Sequence, residues 1–179
     1  MKYNGTMENT EELKKYFNSK EYATAIIGTD GVSTPASPSE DKISTLISLL
    51  TDPSNKDVKE ETLLTLKKEK GGDEVLLLAI ASPKAKEHRH TLVASCWESE
   101  INFSKYLPFF ILLALDPDYL ISLEAITTIE NMEGPFVQKD VEAAIEKVKA
   151  TKMKDTTERQ VLLNDLVNTL EGFLKQNNE

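Results

Sequence analysis

The sequence predicts an all-α fold, an array of about four stacked helix pairs. Three observations carry this. Helix-opening punctuation recurs, at Ser37-Pro38, Asp52-Pro53, Ser82-Pro83 and Asp116-Pro117. Each pair sets a cap residue before a proline whose fixed φ suits a first helical turn. The last three pairs each follow an apolar helical stretch and precede an amphipathic one. Those amphipathic stretches, with a loose fourth copy near the C-terminal end, align on one another at start-to-start spacings of 30, 33 and 37 residues. Periods of this size are the signature of stacked helix pairs.

Taken in order, Thr10 to Asn18 is a first short helix, capped by Asn9 with Glu12 closing the box, its apolar face formed by Leu13, Tyr16 and Phe17. Glu21 to Ile27 fits a short helix or an extended piece. Gly28 to Gly31 breaks the chain, and the segment through Ser37 reads as linker, so residues 1–36 form an appendage. The body, residues 37–175, opens on Ser37-Pro38-Ser39-Glu40 and a helix to about Leu50. The next helix spans about Asp57 to Lys70 and ends at Gly71-Gly72, since a left-handed position past a helix end favours glycine. Val75 to Ile80 is apolar on every side. A buried strand shares that pattern, but the helical context favours a buried helix, capped by Asp73. Ser82-Pro83 opens a helix ending near Trp97. Phe103 to Ala114 is a second all-apolar helix, regular from about Lys105 to Leu107 because of Pro108. Asp116-Pro117 opens the next, which stops before Gly134-Pro135. Phe136 to Thr151 carries the stripe Val137, Val141, Ala144, Ile145 and Val148, and the Asp155-Thr156-Thr157-Glu158 box opens the last helix, with Val161, Leu162, Leu163, Leu166, Val167, Leu170, Phe173 and Leu174. Residues 176–179 are expected to fray.

The aligned copies are Val58 to Leu66, His88 to Cys96 and Ile121 to Ile129, with a loose fourth from Glu158-Arg159 through Leu162-Leu163 to Leu166. Their packing face comprises Val58, Leu63 and Leu66, then Leu92, Val93 and Cys96, then Ala125, Ile126 and Ile129. On these residues the stretch Leu115 to Ile129 resembles the second half of a HEAT repeat, of the armadillo/HEAT α-solenoid class. Asp116-Pro117, Ala125-Ile126 and Ile129 match the pattern of that class. Ser122 departs from it, standing where the class has a basic residue. Lys59, Arg89 and Arg159 hold that position in the other copies. The resemblance covers about Ser37 to Leu174 and implies a right-handed α-α superhelix. It also implies that the basic position often reaches an Asp in the turn of a neighbouring repeat, a stacking role. Stacking explains why inner helices are apolar all round, because one helix pair cannot bury its own apolar face.

Composition agrees with an ordinary globular chain: 40% of residues are hydrophobic and 28% charged. The formal net charge of −9 disfavours general binding to nucleic acid or anionic membranes. The chain is acidic from Glu98 to Lys147, whereas Lys67 to His90 is locally basic, a pattern that solvated helix ends explain. One cysteine, Cys96, excludes an intramolecular disulfide and a cysteine metal cluster; it falls on the apolar stripe and is expected in the core. The first residues lack the apolar core of a signal peptide. The longest apolar run, Leu107 to Leu115, is far shorter than the roughly 20 residues that span a bilayer. The default compartment is the cytoplasm.

No catalytic motif stands out. His88 and His90 sit two apart on different helix faces with no third ligand, so no metal or cofactor is expected, and His88 is expected to be partly buried. No Gly-rich phosphate loop and no Gly-x-Ser-x-Gly elbow occurs. Trp97, the lone tryptophan, reads first as a plug against Phe103 and Tyr106, and second as an exposed anchor, because tryptophan is enriched at binding hot spots. The expectation is a non-enzymatic scaffold that binds another protein, with Lys59, Arg89, Trp97 and Glu98 as candidate binding residues and a basic or mixed partner surface. Two alternatives stand. A HEAT-like DNA-binding protein similar to the alkylpurine DNA glycosylases would present Lys59, Lys67, Lys68, Lys84, Lys86 and Arg89 together. An accessory subunit of an enzyme, like the HEAT-containing bilin lyase subunits, would need a deep apolar pocket.

Overall fold

The computed structural model describes residues 40–54, 56–68, 70–152 and 157–176. The expected appendage over residues 1–36, the Ser37-Pro38 cap, the Asp155-Thr156 cap and the last three residues lie outside these. Among the described residues all regular structure is helical. The helices are α1 (Glu40–Thr51), α2 (Lys56–Lys68), α3 (Gly72–Ala81), α4 (Arg89–Glu98), α5 (Leu107–Ala114), α6 (Tyr119–Glu130), α7 (Gln138–Lys152) and α8 (Thr157–Gln176), with short 3-10 turns at Pro83–Ala85 and Ser104–Tyr106. The chain falls into two compact units, Met1–Ile101 and Asn102–Glu179.

In the first unit α1 packs on α2, α3 and α4, and α3 also packs on α2 and α4. Ile43, Leu46, Ile47 and Leu50 of α1 are buried at i, i+3, i+4, i+7 spacing, the stripe of a helix with one face in a core. Lys67 and Lys68 close α2, where cations oppose the negative end of the helix dipole. Gly71 follows at φ 83°, the left-handed position that favours glycine. The apolar run then forms helix α3, with Leu76, Leu77, Ala79 and Ile80 buried, as the helical reading requires.

Three helix starts differ from expectation. Asp73 does not cap α3 but lies in its first turn, and Gly71 holds the N-cap position. Ser82 caps only a 3-10 turn, its Oγ accepting from the Lys84 amide at 3.3 Å. The i→i+3 bonds Ala85 N–H to Ser82 O and His88 N–H to Ala85 O keep this stretch in tight turns, and α4 begins only at Arg89. His88 therefore sits at the N-cap, exposed, and not partly buried as its place in the alignment suggests.

In the second unit α5 packs on α6 and α7, and α8 on α7 and α6. Phe103, Tyr106, Phe109 and Phe110 are fully buried, and Phe110 meets Phe103 and Phe109 edge-on at 5.4 and 5.3 Å between ring centres. Helix α5 starts at Leu107 with Pro108 in its first turn, where a missing N–H is no loss. Helix α6 is not opened by Asp116-Pro117. Asp116 is buried and accepts the Asp118 amide at 2.9 Å, which turns the chain so that Asp118 becomes the cap. The Asp118 carboxylate accepts from the Leu120 and Ile121 amides at 2.9 and 3.2 Å. Asp118→Ala should therefore lower stability by about 1 kcal/mol in urea titrations, whereas an unchanged midpoint would show that the cap is redundant.

The segment after α6 is tied back to the start of the unit. The Asn102 side-chain amide donates to Gly134 O at 2.7 Å, and the Gly134 amide donates to Ser104 Oγ at 2.9 Å. Val141, Ala144, Ile145 and Val148 of α7 face Leu163, Leu166, Val167 and Leu170 of α8 as buried stripes, and Phe136 stacks on Phe173 at 3.9 Å.

The aligned positions on α4 and α6 share an environment. Leu92, Val93, Cys96, Ala125, Ile126 and Ile129 are all buried, as is Leu63 on α2, whereas Val58 and Leu66 are half-buried. The basic position also has a physical role. Arg89 is only 2% exposed, and its Nε donates to Ile80 O, near the end of α3, at 3.1 Å. Ser122, the departure from the pattern, donates its Oγ to Ala114 O at the end of α5 at 2.5 Å. Arg159 Nη2 reaches Leu115 O, just past the same helix, at 2.7 Å. Each satisfies a carbonyl that a helix C-terminus leaves without an internal partner. A hydroxyl does for α5 what a guanidinium does for α3.

Candidate functional site

The site lies wholly in the first unit. Lys56, Lys59, Glu60, Leu63, Leu64 and Lys67 recur at i, i+3, i+4, i+7, i+8 and i+11 and so form one face of α2. Opposite them stand Trp97 and Glu98 from the end of α4, with Ser99 and Glu100 from the turn that follows. Between the two lies a groove of about 520 Å³.

Two ion pairs bridge it. Lys59 Nζ meets Glu98 Oε2 at 2.5 Å, and Lys67 Nζ meets Glu100 Oε2 at 2.5 Å. Lys59 and Lys67 are two helical turns apart, and Leu63 lies midway between them on α2. The apolar side chains of the groove are Leu63, buried, and Leu64 and Trp97, which are 51% and 39% exposed. The plug expected of Trp97 is thus not what the fold makes of it; its place past the last core residue of α4, Cys96, leaves the indole at the surface.

Glu100 has φ 53°, left-handed backbone that a glycine would adopt without strain. The hydrogen bond from Lys67, with its charge, holds the Glu100 carboxyl below the usual carboxylate range. The acid at this turn therefore stays ionised at neutral pH.

Of the expected binding residues, Lys59, Trp97 and Glu98 are brought together in this groove. Arg89 is not among them: it is buried against Ile80, because its stem and guanidinium cover the end of α3. Sequence reasoning does not single out Leu64 or Glu100, and it names Lys67 only among the lysines of the DNA-binding alternative. A signal for Leu64 exists in the sequence. The aligned positions are Ala94 and Thr127, so a large apolar residue here stands off the repeat's packing face. For Glu100 there is no such signal, since its placement depends on the turn closing toward α2.

The remaining chemistry-bearing groups are dispersed. Burial pushes the Cys96 thiol well above its ordinary pKa, with Glu98 adding to the shift, so it behaves as a core side chain. His90 shares a 3.2 Å hydrogen bond with Thr91 Oγ1. Among the described residues no group of three or more His, Cys, Asp or Glu is placed to hold a metal ion. Among them, too, no helix is long and apolar enough to cross a membrane.

No protein-family model, no curated protein and no solved structure matches this chain.

Proposed function

We propose that the chain is a HEAT-like helical-repeat module that binds another protein, with the α2–α4 groove as its contact surface. The observation that carries this is the exposed pair Leu64 and Trp97, held beside a groove that two ion pairs bracket. A leucine off the packing face and an exposed tryptophan leave apolar surface in contact with water, a loss that burial under a partner recovers. Well-placed charged pairs around an apolar centre resemble the rim of a protein interface. The repeat reading is supported by the shared role of Arg89 and Ser122, each closing the end of the apolar helix before it. The right-handed superhelix implied by the resemblance belongs to this proposal.

The basic residues do not favour the nucleic-acid alternative. Lys59 and Lys67 are paired with glutamates, Lys84 Nζ donates to Ser44 Oγ at 2.9 Å, and Arg89 is buried. Phosphate contacts would have to displace these partners.

The test is affinity capture from native lysate with the full chain and with a Leu64→Glu/Trp97→Ala variant, read by quantitative mass spectrometry. At least one protein should be enriched on the wild type and fall more than tenfold on the variant, as hot-spot truncations do. Equal enrichment on both, with the variant folded by circular dichroism, would refute the groove as the contact surface.

A further inference from the structure

We propose that the ligand of this groove is a basic amphipathic helix of a partner protein, with large apolar side chains on one face and Lys or Arg beside them. This rests on the reading of the groove as a protein-binding site and adds the chemistry of its ligand.

Length comes first. The lining of α2 runs from Lys56 to Lys67, twelve residues, or about 16 Å at the rise of an α-helix. That matches about three turns of a second helix laid alongside. Such a helix places side chains at i, i+4 and i+7 on one face, which can cover the exposed Leu64 and Trp97.

Charge decides the sign. Across the groove the ion pairs are asymmetric. Glu100 is 77% exposed against 42% for its partner Lys67, and Glu98 is likewise more exposed than Lys59. The carboxylate is therefore the more accessible member of each pair. Each lysine engages Oε2, and a carboxylate accepts at both oxygens, so a ligand cation can join either pair without displacing the lysine. The lining also holds Lys56 and Glu60, one charge of each sign, so the exposed carboxylates of Glu98 and Glu100 set the sign of the groove. At longer range the net charge of −9 attracts cationic partners and repels acidic ones, a second copy of this chain included. The left-handed backbone at Glu100 points the same way. Glycine would relieve it, yet the chain keeps there the side chain that is most exposed among the two pairs.

Trp97 is the only tryptophan, so its fluorescence reports the groove alone. The full chain is titrated with two tryptophan-free 16-residue helical peptides sharing one leucine pattern, one filled with lysine and the other with glutamate. The lysine peptide should shift Trp97 emission saturably and bind at least tenfold more tightly than the glutamate peptide, with affinity falling as salt rises. Glu100→Gly should weaken it about fivefold while melting no lower than the wild type. Leu64→Glu should abolish the response. That variant separates groove docking from general attraction of a cation to an acidic protein, because it adds negative charge. Unchanged or tighter binding to Leu64→Glu overturns the proposal. If the glutamate peptide binds as well or better, the ligand's charge is wrong while the groove remains a protein site. If neither peptide moves the emission, the groove reading itself fails. Emission that depends on protein concentration alone, with a dimer in sedimentation, assigns the groove to a second copy and also overturns it.

Discussion

Gly72→Ala is expected to destabilise the first unit by about 3 kcal/mol, seen as a fall of about 1.5 M in its urea midpoint. A β-carbon at Gly72 would lie 2.0 Å from Leu66 O, 2.7 Å from Leu66 C and 3.0 Å from its Cα. These are backbone atoms of α2, so no side chain can swing aside. The α2–α3 contact has to open, and with it the close packing that buries Leu63, Leu76 and Leu77. Gly71, one residue earlier, is glycine for a different reason: its φ of 83° is left-handed, while an added β-carbon there would only touch Glu74 Oε2 at 3.7 Å. A Gly72→Ala variant within 1 kcal/mol of the wild type would show that α2 and α3 approach less closely than described. Because α2 forms one wall of the groove, the same variant should also lower ligand affinity.

Arg89→Met should cost about 3 kcal/mol, with no comparable effect from Lys59→Met at the aligned position. Arg89 is buried, and its Nε satisfies Ile80 O at the end of α3. Removing the donor leaves a buried carbonyl without its bond, a penalty of about 1–3 kcal/mol, and deletes a long stem that packs on the core. Methionine restores part of that packing but not the bond. Lysine at this position should recover less than arginine does, since a point charge lacks the planar guanidinium. Lys59 differs because its ammonium pairs with Glu98 at a partly exposed site, where such pairs contribute under about 1 kcal/mol. Urea titration of the two variants side by side checks the contrast. Equal losses would mean that both residues serve stacking and that the groove pair is structural.

How much of this was legible before folding differs from residue to residue. Most of the stripes of α1, α7 and α8 is readable because helical spacing decides which residues share a face, but Val137, which lies before the first residue of α7, and Val161 on α8 are exposed and not on the buried stripes. The helical state of Val75 to Ile80 followed from context, since a short apolar run has no periodicity of its own. The starts of α4 and α6 were placed too early. A serine or aspartate before proline caps whatever turn follows, and the sequence does not say whether that turn is 3-10 or α. At Asp116 the carboxylate was used to shape the turn, which handed the cap to Asp118.

The site shows the same division. Lys59, Trp97 and Glu98 were named one by one, on residue type and alignment. Nothing in their order along the chain says that Lys59 would meet Glu98 across 39 residues. Arg89 looked like their equal and was not, because a guanidinium can be buried wherever a helix end offers carbonyls. The sequence by itself determined the helical class, the apolar faces and the terminating glycines, since these depend on local backbone preference and on spacing. Tertiary structure alone decided which cations were buried or paired, which apolar side chains stayed in water, and that Glu100 would be held in left-handed backbone toward Lys67. Those outcomes depend on distances between residues far apart in the chain, and helical periodicity carries no information about them.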